Sequence, residues 1–321
     1  MSGSEAFAAA PVVASPSEPP RMTSKSATPA AKKLLVGLIG SGIQRSLTPA
    51  MHEAEARAQG LALHYQLIDL EAAGCGVEAL PTLVSAARIM GFAGLNITYP
   101  CKQAVIPLLD SLSDEAAAMG AVNTVVFSGG QAIGHNTDGW GWRWGFERTL
   151  PGADLSRVVL LGAGGAGSAI AHAVLRMGAK TLVLVDMDPA RAAEVAERLN
   201  TIYPGGHATH AATAAEALAS AKASEKPTGL IHATPTGMDK LPGLPLDVKL
   251  LRSELWVSEI VYFPLETALL KAARATGCAV CDGGTMAVGQ AVGAFRHFTG
   301  RDPDAARMDA HFRSMVAECT S

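Results

Sequence analysis

Charge is scarce in this sequence. Lys, Arg, Asp and Glu make up 17% of its 321 residues, and their balance is only −3 at pH 7. A chain with no basic excess has no field to draw in nucleic acid or an anionic membrane surface. Long apolar runs are missing too: no window approaches the roughly 18 residues that would span a bilayer. The five cysteines (Cys75, Cys101, Cys278, Cys281, Cys319) are odd in number and lack a disulfide framework. Free thiols in a reducing cytoplasm are therefore expected. Cys278 and Cys281 form a C-x-x-C inside "GCAVCD", but no nearby pair supplies the two further ligands of a metal site. A short buried strand is the simpler reading, and no metal is expected.

What the chain does have is apolar residues, 49% of the total, enough for two domains with cores. Residues 1–32 are rich in Ala, Pro and Ser without hydrophobic periodicity, and are expected to be a disordered tail. An upstream-placed start site would read the same way, and the charged start and apolar core of a secretory signal are lacking. From Lys33 the pattern becomes regular. "KLLVGLIG" reads as a strand, and "TPAMHEAEARAQG" as a helix with Thr48 at its cap, Pro49 in its first turn and Gly60 past its end. "LHYQLIDL" and "FAGLNIT" read as strands around the helix "EALPTLVSAARIMG". "CKQAVIPLLD" reads as a helix bent at Pro107, and "AVNTVVFSGGQAIGHNTDG" as two strands around a Ser-Gly-Gly turn. After an aromatic, helix-like connector from Trp140 to Gly152, a second series of strands begins at "SRVVLLGAGGAG". The alternation predicts an α/β protein with mainly parallel sheets. The expected division is a substrate domain over 33–138, a Rossmann-type dinucleotide domain over 139–284, and C-terminal helices over 285–321 that return to the first domain.

The most specific local signal is "VVLLGAGGAGSAIAHAVLRMGAKTLVLVD". A strand runs straight into Gly162-Ala163-Gly164-Gly165-Ala166-Gly167, and a helix follows. This is G-x-G-x-x-G in the setting it requires. Gly162 allows the tight turn, Gly164 a close approach of backbone to pyrophosphate, and Gly167 close packing of helix on strand. The free N–H groups and the positive helix end suit a diphosphate. The second strand ends near Asp186, where a carboxylate can accept hydrogen bonds from ribose hydroxyls and repel a 2′-phosphate, favouring NAD over NADP. Arg191 stands close enough in sequence to contact the adenine side or to soften that preference.

A dinucleotide fold does not define a reaction. The chemistry is expected in the first domain, where Ser46, Thr48, Thr98, Lys102, Asn123 and Asp138 all fall at strand ends or in the turns after them. Open α/β sheets place their ligand crevices there. Taken singly, Ser46 and Thr48 could be helix caps, Asn123 a turn residue, Asp138 a cap and Lys102 a solvated charge. Together, hydroxyls, an amide, an ammonium and a carboxylate suit a small polyhydroxylated acid.

"SLTPAMHEAE", "GLNITYPCKQAVIPLLD", "GAVNTVV", "GHNTDGWG", "GAGGAGSA", "ATPTGM" and "DGGTMAVGQAV" occur in the order seen in the shikimate dehydrogenase family. The chain resembles that family from about Leu34 to its C-terminal helix, and within it the NAD-dependent quinate/shikimate dehydrogenases. The pointers are Ser46-x-Thr48, where biosynthetic members usually have Ser-x-Ser, and Asp186, where NADP users carry an Asn-Arg-Thr-type loop. The resemblance implies Lys102 and Asp138 as the catalytic pair, with Ser46 and Thr48 on the substrate carboxylate. It implies Thr98, Asn123, Tyr262 and Gln290 on the ring hydroxyls or carboxylate, and Thr234 of "ATPTGM" on the cofactor side. Two positions depart from the family pattern: Cys101, where histidine is common before the lysine, and Glu259, where aspartate is common in the strand leading to Tyr262. The expected activity is NAD-dependent oxidation of quinate and shikimate to their 3-dehydro forms, with a catabolic role. The alternatives are a biosynthetic NADP-dependent shikimate dehydrogenase, a relative acting on amino-substituted analogues, and a regulator that has kept the fold. Quinate carries one hydroxyl more at the carbon bearing the carboxylate, so Thr48 is where discrimination should arise. No interface stripe separates monomer from homodimer.

Overall fold

Every strand read from the sequence forms, and among the described residues the strands make two sheets. A computed structural model describes residues 33–205, 207–219 and 226–320; the tail expected over residues 1–32 lies outside the described residues. The first sheet takes β1 (Lys33–Gly40), β2 (Ala62–Asp69), β3 (Gly94–Ile97), β4 (Ser111–Leu112), β5 (Thr124–Ser128) and β6 (Gln131–His135), in the order β2-β1-β3-β5-β6-β4. Helices α1 (Thr48–Ala58) and α2 (Leu80–Ile89) provide the crossovers that make β2, β1 and β3 parallel. The sheet is not parallel throughout: β5 runs antiparallel to both β3 and β6. For β5 and β6 the reason is local. Gly129 and Gly130 hold φ of 57° and 80°, the two positive values of a tight hairpin turn, and such a turn cannot join parallel strands.

Two other expectations change here. "CKQAVIPLLD" is a series of turns with one 3-10 turn at Ile106–Leu108, not a bent helix. Pro107 lacks the N–H that an α-helix would need there, and the segment is too short to continue past it. Thr48 is the first residue of α1 rather than its cap. Leu47 takes the capping position without a side-chain hydrogen bond, so the Thr48 hydroxyl is not used in closing the helix. A short helix the sequence reading passed over, α3 (Asp114–Met119), follows β4 and is capped by Ser113, whose hydroxyl accepts from the N–H of Ala116.

The aromatic connector is α4 (Asp138–Thr149). The second sheet is parallel throughout. Its strands are β7 (Arg157–Leu161), β8 (Thr181–Val185), β9 (His207–His210), β10 (Gly229–His232), β11 (Trp256–Glu259) and β12 (Ala279–Cys281), ordered β12-β11-β10-β7-β8-β9. Helices α5 (Gly165–Arg176), α6 (Pro189–Ile202), α7 (Ala214–Leu218) and α8 (Ala268–Thr276) connect them. Strands buried on both faces read as unbroken apolar runs, and Val158, Val159 and Leu160 of β7 are wholly inaccessible. Cys278 and Cys281 are buried around β12, the first donating to the carbonyl of Arg252.

The chain then enters α9 (Gly283–Thr299) and α10 (Ala305–Thr320). Phe298 of α9 joins Val36, Leu38 and Tyr65 of the first sheet in one apolar cluster, while Met308, Phe312 and Val316 of α10 pack with Met51 of α1. The last helices thus close on the first sheet. Helices α4 and α9 cross at near-backbone distance. A Cβ on Gly289 would stand 2.3 Å from the carbonyl oxygen of Gly141, and one on Gly141 would stand 2.5 Å from the amide nitrogen of Gln290. Only glycine at both positions allows that approach.

Candidate active site

Lys102 is gripped from both sides. Cys101 before it and Val105 after it are completely buried, and the N–H of Cys101 donates to the carbonyl of Thr98 across the turn that follows β3. Burial also pushes the Cys101 thiol up from its ordinary value. The turn presents Lys102 Nζ 2.5 Å from Asp138 Oδ2. The carboxylate is 3% exposed and the lysine side chain 25%, so the pair is screened by protein on the acid's side and open on the amine's.

Asp138 is fixed by more than the lysine. It begins α4, where a negative charge meets the positive helix end. Its N–H donates to Asn136 Oδ1, and its Oδ1 accepts from Asn123 Nδ2 at 2.8 Å. The rest of the Asn123 amide is turned inward as well: Oδ1 accepts from the N–H of Thr137 at 2.8 Å and from the Thr124 hydroxyl at 3.0 Å. Asn123 therefore borders the site while spending its hydrogen bonds on aiming the carboxylate. The sequence reading did not single out Asn136 or Thr137, although both lie in the quoted "GHNTDGWG"; their backbone and amide contacts exist only once β6 and α4 meet.

One cavity of about 460 Å³ collects these groups. Ser46, Thr48, Thr98, Lys102, Asn123, Asp138, Tyr262 and Gln290 all line it, as does Ala166 from the glycine-rich turn. Arg45, Asp239 and Lys240 line it too, and no sequence signal marked them. Arg45 lies over the Phe263 ring at 6.0 Å. Asp69, at the end of β2, shapes the wall by accepting from the N–H groups of Gly42 and Ile43 and from the Gln44 amide. Burial pushes its carboxyl up, but these bonds outweigh that and hold it below the ordinary value. Ser46 and Thr48 stand at the open end of α1, with the N–H of Thr48 directed at Ser46 Oγ at 3.4 Å.

Gly162, Ala163, Gly164, Gly165 and Gly167 lie apart from the cavity lining, in the turn after β7 and the first residues of α5. Gly162 has φ of 101°, and a Cβ on Gly167 would fall 1.9 Å from the Gly162 carbonyl oxygen. Those two are demanded by the chain itself. Among the described residues, a Cβ on Gly164 or Gly165 would meet nothing within 4 Å beyond its own chain neighbours and helix backbone. The open space over those two glycines, at the start of a twelve-residue helix, fits a diphosphate. Asp186 follows β8 as expected, but it also braces the turn: Oδ2 accepts from the N–H of Ala163 at 2.7 Å, and Oδ1 from Asp188 at 2.9 Å. Arg191 reaches Asp186 at 3.7 Å and Asp188 at 3.6 Å. Thr234 lies just past β10, where its Cγ2 would be 3.0 Å from a Cβ on Gly162. Its hydroxyl is held by His232, a residue the sequence reading passed over.

A parallel sheet with a glycine-rich first turn, facing a mixed sheet that carries an ammonium–carboxylate pair, defines a two-lobed α/β protein of the dinucleotide-binding class. Comparison with known proteins gives the family. The shikimate dehydrogenase substrate binding domain matches residues 38–125, and the ThiF family matches residues 152–198 around the glycine-rich turn. The shikimate dehydrogenase (NADP(+)) of Streptomyces avermitilis is 58% identical over 88% of this chain and 96% of its own length. The quinate/shikimate dehydrogenase (NAD(+)) of Corynebacterium efficiens is 48% identical over 88% and 98%. The quinate dehydrogenase from Corynebacterium glutamicum, solved in complex with NAD, superposes with a TM-score of 0.82 at 46% identity, over 88% of this chain and all of that one. The chain belongs to the shikimate dehydrogenase family.

Proposed function

We propose that this protein is a quinate/shikimate dehydrogenase, oxidising the ring acids to their 3-dehydro forms and reducing them back. The observation that carries the reading is that Lys102, Asp138 and Ala166 of the glycine-rich turn line one cavity. Acid–base chemistry and a dinucleotide can thus meet at one substrate. The family relatives named as shikimate and quinate/shikimate dehydrogenases support the substrate class.

When bound, the nicotinamide supplies the hydride acceptor or donor. Everything else falls to the chain. Lys102 Nζ, present as the neutral amine at that step, takes the hydroxyl proton in the oxidative direction and becomes the ammonium; as the ammonium it gives that proton to the carbonyl oxygen in the reductive one. Asp138 holds the amine in line by its 2.5 Å contact, and Asn123 holds the carboxylate from its other oxygen. Ser46 and Thr48 would receive the substrate carboxylate at the N-terminus of α1, where hydroxyl donors and the helix dipole act together. Tyr262, Gln290 and Thr98 would contact the ring. Holding the ring in register with the dinucleotide is the larger part of what such a cavity contributes.

Residues 33–138 are assigned to substrate and catalysis, 139–284 to the dinucleotide, and the helices from 285 onward to the first lobe again. For the cofactor we assign NAD. Asp186 and Asp188 put two carboxylates beside the turn, and both would face a 2′-phosphate with like charge. A second reading, NADP, is favoured by Arg191, whose guanidinium lies within 4 Å of both acids, and by the NADP(+) relatives. Steady-state kcat/KM for quinate and shikimate, each with NAD and with NADP, tests the whole reading. The expected result is turnover of both acids with NAD ahead; no turnover with either acid would end it.

A further inference from the structure

We propose that His232 and Glu259 form a buried positioning pair that sets the Thr234 hydroxyl as a hydrogen-bond acceptor for the carboxamide of a bound nicotinamide. The inference deepens the reading above and rests on its dinucleotide site.

His232 and Glu259 are opposite each other on β10 and β11. Both are ionisable, and their exposures are 0% and 1%, which charged or ionisable side chains rarely reach without a specific partner. The partner set is complete. His232 Nδ1 lies 2.9 and 3.0 Å from the two Glu259 oxygens. Glu259 Oε1 also accepts from the N–H groups of Ile260 and Val261, and Oε2 from the Thr267 hydroxyl at 3.0 Å. A carboxylate accepts only, so Nδ1 carries the proton. In the neutral ring that leaves Nε2 as an acceptor, and the Thr234 hydroxyl stands 2.5 Å from it. The hydroxyl proton is thereby directed at His232.

Thr234 Oγ1 then has only lone pairs to offer. One takes the N–H of Thr236 at 3.3 Å; the other has no donor among the described residues and remains for one from outside. Thr234 is half-buried, so a ligand can reach it. Its place decides which half of the dinucleotide it meets. It adjoins Gly162 on the β10 side of β7, whereas Asp186 lies on the opposite side, past β8. Ile260 and Tyr262, just after Glu259, line the cavity of Lys102. The glutamate thus braces the cavity wall and, through His232, the cofactor edge. That half of the dinucleotide carries two kinds of donor, the ribose hydroxyls and the carboxamide N–H, and ADP-ribose, which keeps a ribose there but no carboxamide, separates them.

The test uses the full-length protein. Dissociation constants for NADH and for ADP-ribose, which lacks the nicotinamide, are measured by titration calorimetry for wild type, Thr234→Val, His232→Asn and the double variant. Thr234→Val should weaken NADH about 5- to 10-fold, the usual scale of one lost hydrogen bond, and leave ADP-ribose unchanged. His232→Asn should show the same pattern, and the double variant should be no worse than Thr234→Val, since His232 acts through Thr234. Equal weakening of both ligands, additive losses, or unaltered NADH affinity in Thr234→Val would each overturn the proposal. Should His232→Asn not fold, Thr234→Val and the ring-nitrogen NMR spectrum of ligand-free wild type still decide. A proton on Nε2 rather than Nδ1 counts against the assignment. Wild type that bound ADP-ribose and NADH normally but oxidised neither acid would sink the proposed function and leave this inference standing.

Discussion

Lys102 shows how much a single residue depends on its neighbours. An ammonium on a flexible four-carbon stem is poorly placed on an open surface. Here Cys101 and Val105 anchor the backbone in the core on either side, and Asp138 fixes the far end. Removing the amine should spare the dinucleotide site, because its hydrogen bond among the described residues is to Asp138 and not to the glycine-rich turn. Lys102→Ala is expected to bind NADH as wild type does and to lose on the order of 10²-fold or more in kcat, the scale of a general acid–base; near-normal turnover would remove Lys102 from the mechanism. Asp186 tests the cofactor at the same scale. Asp186→Ala should narrow the NAD-to-NADP ratio of kcat/KM and also raise KM for both, since the N–H of Ala163 loses its acceptor. A ratio equal to wild type would mean that the ribose is read elsewhere.

Among the elements, the crossing of α4 and α9 has the widest consequences. Asp138 begins one helix and Gln290 lies on the other, so the angle between them sets the width of the cavity. Sequence pattern marked this stretch only as an aromatic, helix-like connector: "DGWGWRWGFERT" carries no aliphatic residue, and nothing set its glycines apart. They are the contact. Trp142 and Phe146 fill the core on one side, while Gly141 meets Gly289 on the other. Gly289→Val would place branched carbon where a carbonyl oxygen now lies 2.3 Å from the Cβ position. Overpacking of this kind costs about 1–3 kcal/mol, and the thermal midpoint should fall by on the order of 5 °C. The same variant should raise KM for the ring acid more than KM for the dinucleotide. A stable variant with wild-type constants would show that the crossing tolerates a wider gap.

For the whole molecule, acid is the expected weakness. His52 is entirely buried among Tyr65, Phe295 and Phe298, and neither ring nitrogen has a partner among the described residues. Burial lowers it from 6.5 to about 3. His172 is equally buried, and burial, with help from Arg198 and Arg176, lowers it to about 4. The sign follows from linkage: below pH 6.5 the unfolded chain takes up protons that the folded chain refuses. Stability is whole above about 6.5 and is lost as pH falls towards 4 and then 3, by up to about 1.4 kcal/mol per pH unit for each histidine. Urea unfolding at a series of pH values should show that slope, and His52→Leu should flatten it by about one proton. An unchanged acid slope in that variant would clear His52 of the effect.

Much of this was legible from sequence because its signals are local. Hydrophobic period located the strands, and G-x-G-x-x-G between strand and helix located the dinucleotide turn, each within a few residues. Glycine, proline and hydroxyl residues likewise marked the ends where Ser46, Thr48, Lys102 and Asp138 stand. What the amino-acid order could not state was which distant residues share an environment. The inward-turned amide of Asn123, the glycine seam of α4 and α9, and the His232–Glu259 pair 27 residues apart all depend on strand order and helix crossing. Those were decided only when the sheets closed, because burying apolar faces chose the neighbours and buried polar groups then had to satisfy one another.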